Sequence, residues 1–142
     1  MIPLFNEAPV IGSVIKDLLP EFPHIVCVDD GSSDTSAQAA RSAGAVVVQH
    51  PVNLGQGAAL QTGFEFALQD PEMSCVVTFD ADGQHRVSDA AAMVARIRGG
   101  EADVVLGSRF LDSRTQIGPV KRLVLRTAAI QSRWSTGMPL TD

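Results

Sequence analysis

Short apolar runs alternate with amphipathic stretches along this chain, and that alternation points to a fold class before any single residue is weighed. Ile2 to Phe5, His24 to Val28, Ala45 to Gln49, Val76 to Phe79 and Asp103 to Leu106 have strand character. A brief continuous apolar run is the signature of a strand buried on both faces. The segments between them have helical spacing. Pro9 to Leu19 places Val10, Ile11, Val14, Ile15, Leu18 and Leu19 on one side, with Pro9 in a first turn where its missing N–H costs nothing. Asp34 to Ala43 is an Ala-rich helix, with Ser33 or Asp34 as its cap and Gly44 as its stop. Gly57 to Gln69 is a third helix. Ser88 caps a fourth, which ends at Gly99-Gly100. After a polar loop from Asp112 to Gly118, a last helix spans Val120 to Ser135, with Leu123, Val124, Ala128 and Trp134 available for burial. Strand and helix in regular alternation predict an α/β fold with a mostly parallel sheet flanked by helices.

In a parallel sheet the ends of these runs share one edge, and the polar residues gather there. Asn6-Glu7 follows the first run, Asp29-Asp30-Gly31-Ser32-Ser33-Asp34 the second, Asp80-Ala81-Asp82-Gly83-Gln84-His85 the fourth and Gly107-Ser108-Arg109 the fifth. The carboxyl edge is where open α/β sheets bind ligands. Asp80 and Asp82 stand one residue apart, and two carboxylates so placed repel unless a cation lies between them. A hard divalent ion with oxygen ligands and bound phosphates satisfies them; an acidic surface turn is the alternative. Asp29-Asp30-Gly31 reads equally as a turn signal or as a place where an Asp accepts hydrogen bonds from a nucleobase N–H and a ribose hydroxyl. Asn53-Leu54-Gly55-Gln56-Gly57 is a loop entering a helix amino terminus. Its free N–H groups suit an anion, and its glycines equally suit tight packing.

Charge and composition narrow the partners. The chain has 142 residues, 45% hydrophobic and 19% charged, which suits one domain with one core. Its formal net charge of -5 argues against a polynucleotide partner. Yet Arg109, Arg114, Lys121, Arg122, Arg126 and Arg133 fall in one segment whose only acidic residue is Asp112. That segment is either a solvated helix face or a surface for phosphate groups on a ligand or a lipid. Cys27 and Cys75 lie inside apolar runs and read as buried core thiols, with no Cys-x-x-Cys pattern to suggest zinc or a disulfide framework. No apolar stretch reaches the length of a membrane span. Reduced, cytosolic surroundings are the expectation.

Taken together, Pro3-Leu4-Phe5-Asn6-Glu7, Val28-Asp29-Asp30-Gly31-Ser32-Ser33-Asp34, Asn53-Leu54-Gly55-Gln56-Gly57-Ala58-Ala59, Asp80-Ala81-Asp82-Gly83-Gln84-His85 and Gly107-Ser108-Arg109-Phe110 resemble the ordered motifs of family-2 glycosyltransferases with the GT-A fold. Within that family the chain is most similar to the polyprenyl-phosphate sugar transferases of the dolichol-phosphate mannose synthase and glucosyltransferase types. The resemblance implies a Rossmann-like GT-A fold forming a single domain over residues 1–142. It also implies an inverting transfer of a sugar from a GDP-mannose or UDP-glucose type donor to a polyprenyl phosphate.

Residue by residue, Asp80, Asp82 and Gln84 match positions that hold Mg²⁺ or Mn²⁺ against the donor diphosphate, with Asp82 also counted as catalytic. Pro3, Phe5, Glu7, Val28, Asp30 and Ala81 match positions of the donor pocket, Asp30 reading the nucleoside. Arg109 and Arg122 match arginines that approach the phosphates. Asp142 matches the start of an acceptor loop and is a candidate base. In such relatives the full protein works at the cytosolic face of a membrane, peripheral to it or tethered there.

This sequence departs from the family pattern in places. Gln56 stands where a lysine is common, and Arg86 where a proline is common. Relatives extend past the position of Asp142, and their first strand begins before the position of Ile2, so the expectation is a GT-A domain short at both ends, with its donor-binding part present and its acceptor part incomplete. Other readings are a nucleotide-sugar binding module without turnover and a transferase acting on a glycan or another lipid. A phosphorelay receiver domain would need a lysine at a late strand end, where this chain has Gly107-Ser108-Arg109. A nucleotidylyltransferase would need a Gly-rich basic loop where it has Asn6-Glu7-Ala8-Pro9.

Overall fold

A computed structural model describes residues 1–81 and 85–107. The chain divides into two compact units, Met1–Asp103 and Val104–Asp142. In the first unit β1 (Ile2–Leu4), α1 (Ala8–Leu18), β2 (Val26–Asp29), α2 (Ser36–Ser42), β3 (Val46–Gln49), α3 (Gln56–Ala67) and α4 (Val87–Arg98) follow one another. The strands form a parallel sheet in the order β1-β2-β3, with Cys27 opposite Ile2 and Val47, and Asp29 opposite Leu4 and Gln49. Parallel neighbours require a crossover, and α1 and α2 supply it. Right-handed crossovers running the same way across a sheet lie on one face, and α1 and α2 pack against each other. The connection after β3 runs back the other way. The same handedness puts α3 on the opposite face, where it packs on β1 and β2.

That return leads to residues 76–79, which run beside β1 on the side away from β2. The Met1 amino group donates to the Val77 carbonyl at 2.8 Å, and the Phe79 N–H donates to the Met1 carbonyl at 3.0 Å. These two bonds bracket Met1 as a parallel ladder does, with Thr78 opposite it. Among the described residues, the run predicted as a strand from Val76 to Phe79 is joined to the sheet through Met1 alone and is not a strand. Residues 104–107, the described part of the second unit, form no strand either, and Val104 and Leu106 are exposed. An apolar run becomes a strand only where a neighbour takes up its backbone groups. The last predicted helix and the loop before it lie outside the described residues.

Most of the helical spacing read for α1 packs: Ile11, Ile15 and Leu18 are buried and Val14 and Leu19 pack against them, while Val10 is exposed. The three buried residues join Ile2, Leu4, Ile25, Cys27, Ala40, Ala45 and Phe79 in one cluster. Burial pushes the Cys27 thiol up to about 12, so it fills the core as a neutral group. Two predicted caps shift. Arg86, in extended conformation, precedes α4, and Ser88 lies within its first turn. Thr35 precedes α2 with no side-chain cap bond, while the Asp34 carboxylate accepts from the Ser36 N–H and hydroxyl. Two glycines are forced. Gly44 ends the α2 turn at φ +105°. Gly31 turns the chain out of β2 at φ +71°, where a Cβ would meet the Val52 carbonyl carbon at 2.6 Å.

Candidate active site

The sheet order places a switch point between β1 and the 76–79 segment: one connection from β1 leaves toward β2, and the chain later returns on its other side. Open α/β sheets leave a crevice there, at the carboxyl ends of the strands. A cleft of about 360 Å³ lies at this place. Pro3, Leu4, Phe5 and Glu7 line it from the end of β1, Asp30 from the end of β2, Asn53, Gly55, Gln56 and Ala59 from the entry to α3, and Asp80 and Ala81 from the far side.

Asp30 is 3% exposed. Its Oδ1 accepts from the Leu54 N–H at 2.9 Å and lies 2.7 Å from His50 Nδ1, and its Oδ2 accepts from the Gly55 N–H at 2.7 Å. Burial alone raises such a carboxyl. The Leu54 N–H, the His50 ring and the Gly55 N–H together outweigh it and hold Asp30 below the ordinary carboxylate range. An ionised carboxylate only accepts, so the His50 proton sits on Nδ1. Gly55 takes φ +93° at the step before α3. One buried anion thus fixes the loop that forms a wall of the cleft.

A second set of polar bonds fixes the end of β1. Asn6 adopts φ 55°, a conformation its short side chain tolerates. Its N–H donates to the Ser32 hydroxyl at 2.9 Å, and its Oδ1 accepts from the Ser33 N–H at 2.9 Å. The Glu7 N–H donates to the Ser36 hydroxyl at 2.7 Å, and the Ala8 N–H to Asp34 Oδ2 at 3.2 Å. Hydrogen bonds from Ser36, opposed by some burial, hold the Asp34 carboxyl low. Asn6-Glu7 and Ser32 to Ser36, read from the sequence as separate polar strand ends, form one clasp that presents Phe5 and Glu7 to the cleft.

Across the cleft, Asp80 is held by its backbone: its N–H donates to His85 Nδ1 at 3.2 Å, and the His85 ring meets Phe79 edge to face at 5.5 Å. Of the residues expected to bind a donor, Pro3, Phe5, Glu7, Asp30, Asp80 and Ala81 line this one cleft. Val28 is fully buried in β2 and is not among its lining residues. Asp82, Gln84, Arg109, Arg122 and Asp142 lie outside the described residues. Among the described residues no group of three or more His, Cys, Asp or Glu side chains forms a metal site. The donor set expected for Mg²⁺ or Mn²⁺ is oxygen throughout, which suits a hard cation, and its first member Asp80 stands at the cleft.

Sequence reasoning missed His50, Leu4 and Ala59. His50 carried a usable signal: it is a polar residue directly after a strand, at the same sheet edge as the acidic groups. Among the described residues no helix is long and apolar enough to cross a membrane.

Residues 1–133 match the family model described as glycosyl transferase family 2. The chain belongs to glycosyl transferase family 2. An uncharacterised protein of Methanocaldococcus jannaschii is 40% identical over 79% of this chain and 46% of its own length. The UDP-N-acetylglucosamine–dolichyl-phosphate N-acetylglucosaminyltransferase of Methanococcus voltae is 30% identical over 78% of this chain and 51% of its own. The chain thus spans about half the length of these relatives. Among solved structures, the glucosyl-3-phosphoglycerate synthase of Mycobacterium tuberculosis, in complex with phosphoglyceric acid, matches with a TM-score of 0.59 and 27% identity over 70% of this chain and 39% of that one. The fold is the α/β GT-A fold of family-2 glycosyltransferases, as the motifs implied.

Proposed function

We propose that the cleft binds the nucleoside diphosphate of a sugar nucleotide and that the whole protein transfers the sugar, with inversion, to a polyprenyl phosphate. The observation that carries this reading is the pair of opposed carboxylates: Asp30 on one wall of a switch-point cleft and Asp80 on the other. On this reading Asp30 accepts an N–H of the base, and Pro3 and Phe5 flank it. Asp80, Asp82 and Gln84 hold Mg²⁺ or Mn²⁺, which when bound offsets the charge on the departing diphosphate. Arg109 and Arg122 approach phosphate oxygens. A phosphate oxygen of the lipid attacks the anomeric carbon from the face opposite the leaving group. The new O–C bond forms as the bond to the diphosphate oxygen breaks, and the nucleoside diphosphate leaves. The attacking phosphate is already an anion and needs no strong base, so Asp142 has at most a steering part.

The dolichyl-phosphate acceptor named for the Methanococcus voltae relative supports a lipid acceptor, and on this reading the whole protein works at the cytosolic face of a membrane. The 3-phosphoglycerate in the name of the solved neighbour favours a second reading, in which the acceptor is a small phosphorylated molecule.

Calorimetric titration of the chain with UDP, GDP, UDP-glucose and GDP-mannose, each with and without Mn²⁺, tests the donor half. Binding of one base series that vanishes without metal is expected. A folded chain that binds none of them would overturn the reading.

A further inference from the structure

His50 follows β3 directly and its side chain is 9% exposed. It is not among the residues lining the cleft. Both ring nitrogens are engaged: Nδ1 lies 2.7 Å from Asp30 Oδ1, and Nε2 lies 2.9 Å from the Thr62 hydroxyl on α3. A buried histidine bonded at both ends ordinarily ties one element to another, here the end of β3 to α3. The two ends of this ring differ, however. Thr62 is a helix side chain that does not line the cleft, whereas Asp30 is the carboxylate on its wall.

A carboxylate oxygen accepts about two hydrogen bonds. Oδ1 is filled by His50 and Leu54, while among the described residues Oδ2 receives the Gly55 N–H alone. His50 thus joins the Leu54 and Gly55 N–H groups in setting the rotation of the carboxylate, as the one side chain among the three, and with it the acceptor position on Oδ2 left for an incoming N–H donor.

We propose that His50 is a positioning residue for base recognition: its Nδ1 arm orients Asp30 toward the imide or amide N–H of a nucleobase, while its Nε2 arm serves packing alone. The inference rests on the reading of the cleft as a nucleotide site.

Two substitutions separate the arms. His50→Asn keeps an amide nitrogen near the place of Nδ1 and loses the Thr62 contact. His50→Gln keeps one near the place of Nε2 and loses the Asp30 contact. Thr62→Val removes the Nε2 partner from the other side. Each is titrated, in the full 142-residue chain, with the nucleoside diphosphate that the unaltered protein binds, and with inorganic pyrophosphate plus Mn²⁺ as a probe lacking a base. Thermal melts accompany each titration.

His50→Gln is expected to weaken the nucleoside diphosphate on the order of tenfold, the size of a lost charge-assisted hydrogen bond, and to leave pyrophosphate binding unchanged. His50→Asn and Thr62→Val are expected to stay within about twofold of the unaltered protein for both probes, although all three melt earlier. Equal weakening in His50→Gln and His50→Asn, or parallel loss of pyrophosphate, would show a purely structural tie and overturn the inference while leaving the nucleotide site intact. An unaltered protein that binds no nucleoside diphosphate would overturn both.

Discussion

The two walls of the cleft hold their acidic residues in different ways. Asp30 is buried and spends its acceptor positions on the chain itself, on Leu54, Gly55 and His50, so that one charge builds the wall it belongs to. Asp80 is half-buried and is anchored by its backbone N–H to His85. The lesson is a division of labour: Asp30 is enclosed and uses most of its acceptor positions to organise its own wall, whereas Asp80 is held through its main chain. Removing the first should cost the fold as well as binding, and removing the second should cost binding alone.

The largest effect is expected from Asp30→Ala. It takes the carboxylate from the partly buried Leu54 and Gly55 N–H bonds and from the buried His50 ring, at a cost of about 3 kcal/mol, read as a lowered urea midpoint. Nucleotide binding should be lost with it. Gly31→Ala reaches the same wall without touching the carboxylate. It forces a side chain onto a residue at φ +71° and pushes a Cβ into the Val52 backbone. A loss of about 2–3 kcal/mol is expected in the same denaturation experiment.

Acid acts on the same wall. Asp30 and Asp34 lie below their ordinary value of 3.8 in the folded state, so folding favours their charged forms. The stability they contribute is complete above that value and is lost as pH falls through their lower folded values. A melting profile taken downward from pH 6 should therefore fall steeply only below about pH 4, and Asp30→Asn should flatten that fall.

Asp80→Ala sits at the other end of the scale. It should change the unfolding free energy in urea by no more than about 0.5 kcal/mol, while abolishing the metal-dependent part of donor binding. If Asp80→Ala destabilised the protein as much as Asp30→Ala, the contrast between the walls would collapse.

The legible parts of the molecule were those set by local periodicity and punctuation. Ile11, Ile15 and Leu18 announced the buried face of α1, and Val26 to Asp29 and Val46 to Gln49 formed strands within two residues of where the apolar runs lay. The polar ends after β1, β2 and the 76–79 segment announced the cleft, because parallel neighbours bring them to one edge. Long-range partners were not legible. Nothing in Val76 to Phe79 says that among the described residues it joins the sheet through Met1 alone, and nothing in Val104 or Leu106 says that both are exposed. His50 was missed for the same reason. Its meaning depends on Asp30, twenty residues earlier, and on Thr62, one helix later. The motif around Asp30 was read as a ligand contact, while much of its hydrogen bonding serves the loop from Leu54 to Gly55.

On the proposed reading one wall takes the base and the other the metal-bound diphosphate. The direct test is a crystal of the chain grown with Mn²⁺ and the nucleoside diphosphate it binds, with data collected at the manganese absorption edge. An anomalous peak coordinated by Asp80 is expected, with a base whose N–H meets Asp30 Oδ2 across the cleft. A manganese peak away from Asp80, or a nucleotide seated outside the cleft between Asp30 and Asp80, would contradict it.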